Sequence, residues 1–533
     1  MKEHLVALVY ILVIAGVAFL VMAKPLTARV MAPPDFARRR NLWFAVTVAT
    51  FLAHNFWLAM LAVALIVALG SRREHNPVAL YCALLFAVPQ FDVPIPGFGV
   101  VNQLFEINHP RLLALVLLLP AVWRLAGRQR TPNPRLLIPD LMIAGFFGYV
   151  FVVNATAASV TGLMRFATYL TLDHLLLYYV VTRSITSRKQ LIDVLASFVM
   201  GLAVISLIAV FENLRSWLVY ESLREPLGVP PPDLTMYLLR VTEDGGYMRA
   251  LTTTGNAIAM GFMAMVAIIF HLVLGRGYTP KWLGAGVLLM LFGGILAAVS
   301  RGPWVGCAIG LMLGLATGPG AKRRILWMSA VIPVVATALL LSPSGQKFID
   351  LLPIVGTVEA GNVTYRTLLI DRAMIVFWQN PVFGSLQYIY NPVLEEMRQG
   401  QGIIDIVNSY IGVALPYGIV GLLLFVAPSL YALVATWTTS RKLAAVDPTS
   451  EATGRALAMS MLAIMLVIGT VSHYFHIPIV HWMVVSLSMA YAANAPAWHR
   501  NPTAAEGSGP RAAPTMRPGM AGQPMRPSPR RHA

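Results

Sequence analysis

The chain has 533 residues, 57% hydrophobic and only 12% charged, with a mean hydropathy of +0.68. Soluble domains carry about twice that charged fraction, so a soluble core cannot hide this much apolar surface and the chain reads as a polytopic membrane protein. A net charge of +17 would suggest nucleic acid in a soluble protein, but here Lys and Arg gather in short loops between apolar runs, so no nucleic-acid partner is expected. Both cysteines, Cys82 and Cys307, lie in apolar runs, which supports neither a disulfide framework nor a thiolate metal site.

Leu5–Met22 is apolar behind Lys2. Val21-Met-Ala23 could serve as a signal-peptide cleavage site, but Glu3 and Pro25 favour a first transmembrane helix. Leu42–Leu69 follows as a longer run with His54-Asn55 near its middle. Further spans are expected near Pro77–Val88, Arg111–Trp123, Leu136–Asn154, Leu163–Val181 and Leu191–Phe211. After the polar stretch Glu212–Leu251 come Ala257–Leu274, Trp282–Val299, Trp304–Ala316 and Ile325–Leu341. A long polar interruption from Pro343 to about Asp405 precedes spans near Ile419–Trp437, Leu457–Val471 and Ile479–Ala493.

The expected fold is therefore all-α, with about 14 transmembrane helices (12–14) of roughly 20 residues each. Four parts are expected: transmembrane helices with a polar stretch at 212–251 (1–342), an extramembrane loop (343–404), further helices (405–498) and a disordered basic tail (499–533).

Orientation follows from charge. Arg72-Arg73, Arg124/Arg128/Arg130/Arg135, Arg183/Arg188/Lys189, Arg276/Lys281, Lys322-Arg-Arg324 and Arg441-Lys442 fall in alternate short loops. The positive-inside rule makes these cytoplasmic. The intervening loops, with Asp92 and Glu106, Glu212 to Asp244, and Asp350 to Asp405, then face outward. One loop disagrees: by parity Lys24, Arg29 and Arg38-Arg-Arg40 would lie outside. Either that loop breaks the rule, or Leu42–Leu69 does not simply span.

On this topology Ser300-Arg301-Gly302-Pro-Trp304 is a turn at the outer membrane boundary. Arg301 reads either as a snorkelling anchor beside Trp304 or as a charge held for an anionic partner. A helix is expected over Tyr365–Gln379, carrying Arg366 and Arg372 on different faces, so the two are not expected to meet one ligand. Outward-facing guanidiniums suit a lipid-borne diphosphate, because the planar fork matches phosphate oxygens and would stabilise charge on a departing diphosphate. His473, His476 and His481 surround Pro478; their spacing is not that of a helical ligand pair, which leaves interfacial structure or glycan hydrogen bonding. Asp405 could cap a short helix starting near Ile406.

At these residues the sequence resembles the O-antigen ligase and polymerase superfamily of bacterial envelope glycosyltransferases. The resemblance rests on Ser300-Arg301-Gly302-x-Trp304, then Arg366 opening a helix that ends in Asn380-Pro-Val-Phe-Gly384, then Asn408-Ser-Tyr410-Ile continuing to Gly418-Ile-Val-Gly421. A weaker echo is Arg249 followed by Gly255-Asn256-Ala-Ile-Ala-Met-Gly261. The resemblance implies a GT-C-like fold and an inverting, cofactor-free and metal-independent transfer from an undecaprenyl-diphosphate-linked oligosaccharide. It assigns Arg301 and Arg366 to the diphosphate. Ligases of the family carry a histidine immediately before the matching asparagine; here that position is Val407, and the Asp405-Ile-Val-Asn408 form is more similar to exopolysaccharide polymerases.

The resulting expectation is a periplasm-facing polymerase of the inner membrane. Arg301, Arg366 and Asp405 are its catalytic candidates, with Asp405 as general base. Asn408, Tyr410, Arg249, Arg372, His473 and His476 are its substrate-binding candidates. Its expected partners are the lipid-linked oligosaccharide, membrane lipids, and a chain-length regulator and flippase of the same pathway. A ligase acting on lipid A core or protein is the alternative. A transporter or flippase of lipid-linked sugars ranks third, since matching broken helices and an intramembrane charge path are not evident.

Overall fold

The computed structural model describes residues 3–99, 101–127, 133–230, 239–242, 245–317, 320–326, 329–330, 337, 360–398 and 404–500. The expected span Ile325–Leu341, the beginning of the polar interruption, the glycines at 400 and 402, Arg128, Arg130 and the basic tail lie wholly or largely outside these residues.

Helices come in the order α1 (Glu3–Arg29), α2 (Pro33–Leu52), α3 (Phe56–Gly70), α4 (Pro77–Leu84), α5 (His109–Ala126), α6 (Leu137–Ala155), α7 (Val160–Leu170) and α8 (Leu176–Ser184). Then follow α9 (Arg188–Arg215), α10 (Ala257–Leu274), α11 (Lys281–Ala297), α12 (Arg301–Ala316), α13 (Ala360–Gln379), α14 (Ser409–Leu443), α15 (Pro448–Ile468) and α16 (His476–Arg500). Two antiparallel hairpins interrupt the series, β1 (Val93–Pro96) with β2 (Gln103–Ile107), and β3 (Leu239–Thr242) with β4 (Gly245–Met248).

Nine helices among the described residues are long and apolar enough to cross a membrane, and α11 and α12 are shorter apolar helices. The chain is a multi-pass membrane protein. Helices α9, α10, α15 and α16 bury most of their residues and form the centre of the bundle, whereas α1, α3, α6 and α14 present most of theirs outward. The central helices are mostly apolar, as expected of helices enclosed by other helices, and buried charges such as Asp193 on α9 and Glu451 with Arg455 on α15 are paired.

The first loop of the bundle resolves the charge conflict. The apolar run from Leu42 to Leu69 is two helices folded back at Ala53-His54-Asn55. Asn55 ends the run because its side chain accepts from the backbone N–H groups of Trp57 and Leu58, which caps α3. The chain therefore turns once more than a single span allows, and Arg38-Arg-Arg40 falls on the side of Arg72-Arg73.

Ion pairs fix that placement. Arg39 is fully buried and pairs with Asp193 at 2.6 Å and Glu74 at 2.9 Å. Arg38 adds a second contact to Glu74 at 2.9 Å, and Asn76 donates to Asp193 at 3.0 Å. Burying these charges is tolerable because each is paired and hydrogen-bonded. Arg188 pairs with Asp447 at 3.0 Å, and Trp498 Nε1 donates to the Thr186 carbonyl at 2.6 Å. The starts of α2, α4, α9 and α15 and the ends of α3, α14 and α16 thus share one arginine-rich face.

The opposite face is fixed in the same way. Trp217, just past α9, donates to Glu3 at 2.8 Å, and the rings of His4 and His54 meet at 6.2 Å. This face also holds both hairpins, the ends of α11 and α15, and the starts of α10, α12, α14 and α16.

Candidate active site

The site is built at the turn that opens α12. Val299 has φ +44°, a left-handed conformation that a β-branched residue adopts only at a cost of about 1–3 kcal/mol. That turn lets α12 begin at Arg301, and Trp304 Nε1 ties the new helix back to the Ile295 carbonyl at 2.7 Å. Arg301 is half-buried there. A methyl group at Gly302 would lie 2.9 Å from Thr470 Oγ1, so the missing side chain lets the turn after α15 come close.

That second turn, Thr470–Phe475, carries Asp405. Ser472 Oγ donates to Asp405 Oδ1 at 2.5 Å and to the Ile406 carbonyl at 3.2 Å, while Ser409 Oγ donates to the Val471 carbonyl at 2.8 Å. Helix α14 starts at Ser409, not near Ile406, and its cap is Asn408, whose side chain accepts from the N–H groups of Tyr410 and Ile411. Asp405 is therefore not the cap, and its carboxylate stands beside the turn. The hydroxyl of neighbouring Tyr474 is raised above the usual tyrosine range by desolvation and then by the Asp405 charge. Tyr410 reaches into the bundle, where its hydroxyl donates to the Met465 carbonyl at 2.6 Å.

The polar segment contributes from above. Leu369, Ala373 and Val376 form one stripe of α13 and pack with Leu394, Met397, Ile404, Ile406 and Leu415 into a small separate core. At the start of that stripe Tyr365 Oη donates to the Met397 carbonyl at 3.3 Å and the Asp405 carbonyl at 3.4 Å. Arg366 follows directly and is exposed, one residue along α13 from the tyrosine that bonds the Asp405 backbone. Arg372 is turned to Glu396, which it pairs with at 2.8 Å.

The rest of the segment is pinned to a break in α14. Gly418 has φ +64° and ψ −167°, which interrupts the helix after Pro416 and frees backbone groups. The segment takes them up: Ile419 N–H donates to the Pro381 carbonyl at 2.8 Å, Val420 N–H to Val382 at 3.3 Å, and Ser385 N–H to Leu415 at 3.0 Å. The two backbones lie so close that a methyl group at Gly418 would sit 2.2 Å from the Val382 carbonyl oxygen.

A third element meets the same corner. Ala250 N–H donates to the Ala297 carbonyl at 3.1 Å, placing buried Arg249 beside the end of α11. Buried Glu212 holds this strand, accepting from the N–H groups of Val219, Leu251 and Thr252 at 3.2, 3.1 and 2.9 Å. Thr252 and Phe475 are left-handed like Val299, with φ +50° and +54°, so three of the four non-glycine residues with positive φ among the described residues lie on these loops, the fourth being Ser216 at the end of α9.

The histidines divide. His473 Nε2 lies 3.2 Å from His481 Nδ1, and His481 Nε2 lies 2.9 Å from Ser429 Oγ, both rings packing on Phe425. Burial, with His481 and His174 nearby, holds the His473 pKa well below the ordinary histidine range. His476 is fully buried and lies against Phe86 at 5.6 Å. Among the described residues no three His, Cys, Asp or Glu side chains converge as metal ligands would.

Arg301, Asp405, Asn408 and Tyr410 thus sit on or beside two touching turns, with Arg249 and Arg366 on the elements that flank them. Arg372 and His476 point elsewhere. Thr470, Ser472, Tyr365 and Glu212 are members that sequence reasoning missed; only Glu212, an acid at the end of an apolar run, carried a local signal.

A family model described as O-antigen ligase matches residues 285–426. The match supports the O-antigen ligase and polymerase superfamily, whose members are glycosyltransferase-like enzymes acting on lipid-linked oligosaccharides in membranes. It includes Arg301, Arg366, Arg372, Asp405, Asn408 and Tyr410 and ends before the histidines. No curated protein matches the chain.

Proposed function

We propose that this chain, whose residues 285–426 match the O-antigen ligase family, is an inverting glycosyltransferase that polymerises undecaprenyl-diphosphate-linked repeat units. Its active site is the face opposite the arginine-rich one, which the positive-inside rule makes periplasmic. The observation that supports this reading is that Gly302, next to Arg301, closely approaches Thr470 on the turn whose Ser472 holds Asp405, while Tyr365, next to Arg366, bonds the Asp405 backbone.

In this mechanism Arg301 and Arg366 hold the diphosphate that links the growing glycan to its lipid carrier. A hydroxyl of the incoming unit attacks the anomeric carbon from the side opposite the diphosphate. The new carbon–oxygen bond forms as the bond to the diphosphate breaks, which inverts the centre. Asp405 accepts the hydroxyl proton, the two guanidiniums take up the charge on the departing diphosphate, and undecaprenyl diphosphate leaves. Ser472 orients the carboxylate by its hydrogen bond. Asn408 and Tyr410 act by fixing the start of α14, and Arg249 supports the same corner.

Polymer growth is favoured over ligation by Val407, which puts an apolar side chain where family ligases carry a histidine. The ligase reading is kept because the matching model bears that description. Acceptor dependence separates them. Purified protein given only lipid-linked repeat units should build a ladder of lengths. Transfer seen only after lipid A core is added would replace the polymerase reading with the ligase one.

A further inference from the structure

The arginine-rich face holds a cavity that the transfer chemistry does not use. It has a volume of about 100 Å³ and lies between the ends of α10 and α12 and the early turns of α15. Ile269, Leu315 and Met459 make an apolar wall, and Arg276, Arg324 and Arg455 bring three guanidiniums to it.

Cations at the C-terminal ends of two helices have a structural use, because the last carbonyls there are unpaired and partly negative. Arg455 has that use: Nη1 donates to the Gly314 carbonyl at 2.5 Å and Nε to Glu451 at 2.9 Å. Arg324 does not. Its Nε and Nη2 are buried and donate to no group among the described residues. The Arg276 pKa is lowered, by burial first and then by the charges of Arg455 and Arg324, so the three cations repel one another. Among the described residues Glu451 is the one carboxylate facing them. Two positive charges remain in excess, and buried N–H groups without an acceptor are costly unless a ligand supplies one.

We infer that this cavity binds the phosphate of an acidic membrane lipid, held by Arg276, Arg324 and Arg455 with the lipid's apolar part against the Ile269–Leu315–Met459 wall. Guanidinium forks match phosphate oxygens in pairs, and basic pockets between membrane helices suit anionic headgroups. The apolar wall favours a lipid over a soluble phosphate, which would gain nothing from it. The site is on the face away from Arg301 and Asp405 and is independent of their chemistry.

The test uses the full chain in an uncharged detergent. It is titrated separately with short-chain phosphatidylglycerol, phosphatidylcholine of the same chain length, and inorganic phosphate. Bound lipid is read by native mass spectrometry, and Tm by the loss of folded protein on heating. Phosphatidylglycerol should bind and raise Tm, and phosphatidylcholine should do neither. Arg276→Gln with Arg324→Gln should weaken phosphatidylglycerol binding about tenfold or more. The matching double lysine variant, which keeps both charges but not the forks, should bind more weakly than wild type and more tightly than the glutamine variant, and shows that the region still folds. Equal binding by the glutamine variant and wild type would overturn the site. Inorganic phosphate raising Tm as much as phosphatidylglycerol would overturn the lipid assignment in favour of a soluble anion.

Discussion

At the scale of single residues, the reading turns on what each charged side chain touches. Asp405 is held by one hydroxyl, Ser472, and is free of the capping role that Asn408 performs. Loss of a general base costs about 10²–10⁴-fold, so Asp405→Asn should lower the transfer rate by that much with Tm nearly unchanged. Ser472→Ala should cost about tenfold, since one hydrogen bond to a charged group is being removed. A Tm loss in both variants with an unaltered rate would make the pair structural. Arg372 is the control. Its surface pair with Glu396 is worth about 1 kcal/mol or less, so Arg372→Ala should leave both rate and Tm close to wild type. The sequence showed Arg301, Arg366 and Asp405 but not Ser472 or Tyr365. A serine and a tyrosine without a distinctive neighbour become visible only when distant turns meet.

At the scale of elements, the polar segment and α14 form one joint. Gly418 and Gly384 both have positive φ, and each lies where a side chain would strike the other's backbone. Gly418→Ala should therefore cost more than the loss of one backbone conformer: the methyl group must push Pro381–Gly384 off the break in α14. Limited proteolysis should then cut between Asn380 and Gly402 faster than in wild type, and transfer should fall with it. Equal proteolysis of variant and wild type would show that the joint is not held there. The stretches Asn380-Pro-Val-Phe-Gly384 and Gly418-Ile-Val-Gly421 could be read from the sequence. Their pairing could not, because backbone groups freed by a glycine leave no trace of their partner in the sequence.

At the scale of the whole molecule, the charge series put Arg72-Arg73 and Arg188 on one face, as the ion pairs beside them show, and the apolar runs gave most of the helices. The sequence left the run from Leu42 to Leu69 open, and it is two helices rather than one span. Its apolar residues continue through the fold-back, and only Asn55 marks the new helix. Restoring that turn puts Arg29 and Arg38-Arg-Arg40 on the face of Arg72-Arg73, with Arg39, Glu74 and Asp193 locking it. Cys82 and Cys307 are buried, so single introduced cysteines report topology cleanly. In intact cells with a permeable outer membrane, an impermeant maleimide should label His54→Cys and should reach Arg73→Cys only after the inner membrane is opened. The opposite pattern would invert the protein.

The same lock makes a pH prediction. Burial alone would raise the Glu74 pKa, but the charges and hydrogen bonds of Arg39, with Arg38, outweigh it and hold it below the ordinary glutamate value. A depressed carboxyl stabilises the fold above its unfolded pKa, and that contribution is lost as pH falls through the folded value. Tm should therefore fall on acidification through that range, and Glu74→Gln should flatten the fall while lowering Tm at pH 7. Arg39→Met leaves two acids buried beside an apolar side chain and should cost about 3–5 kcal/mol, read as lost yield of folded protein in the membrane.

The central claim is that Arg301 and Arg366, from separate elements, act on one diphosphate. The measurement is the initial rate of undecaprenyl diphosphate release by purified wild type, Arg301→Ala, Arg366→Ala and the double variant, each with the same lipid-linked unit. Removing one stabiliser of leaving-group charge should slow release about 10²–10³-fold, and the double variant should be less than multiplicatively worse, because the two act as a unit. Release at the wild-type rate by either folded single variant would contradict the account.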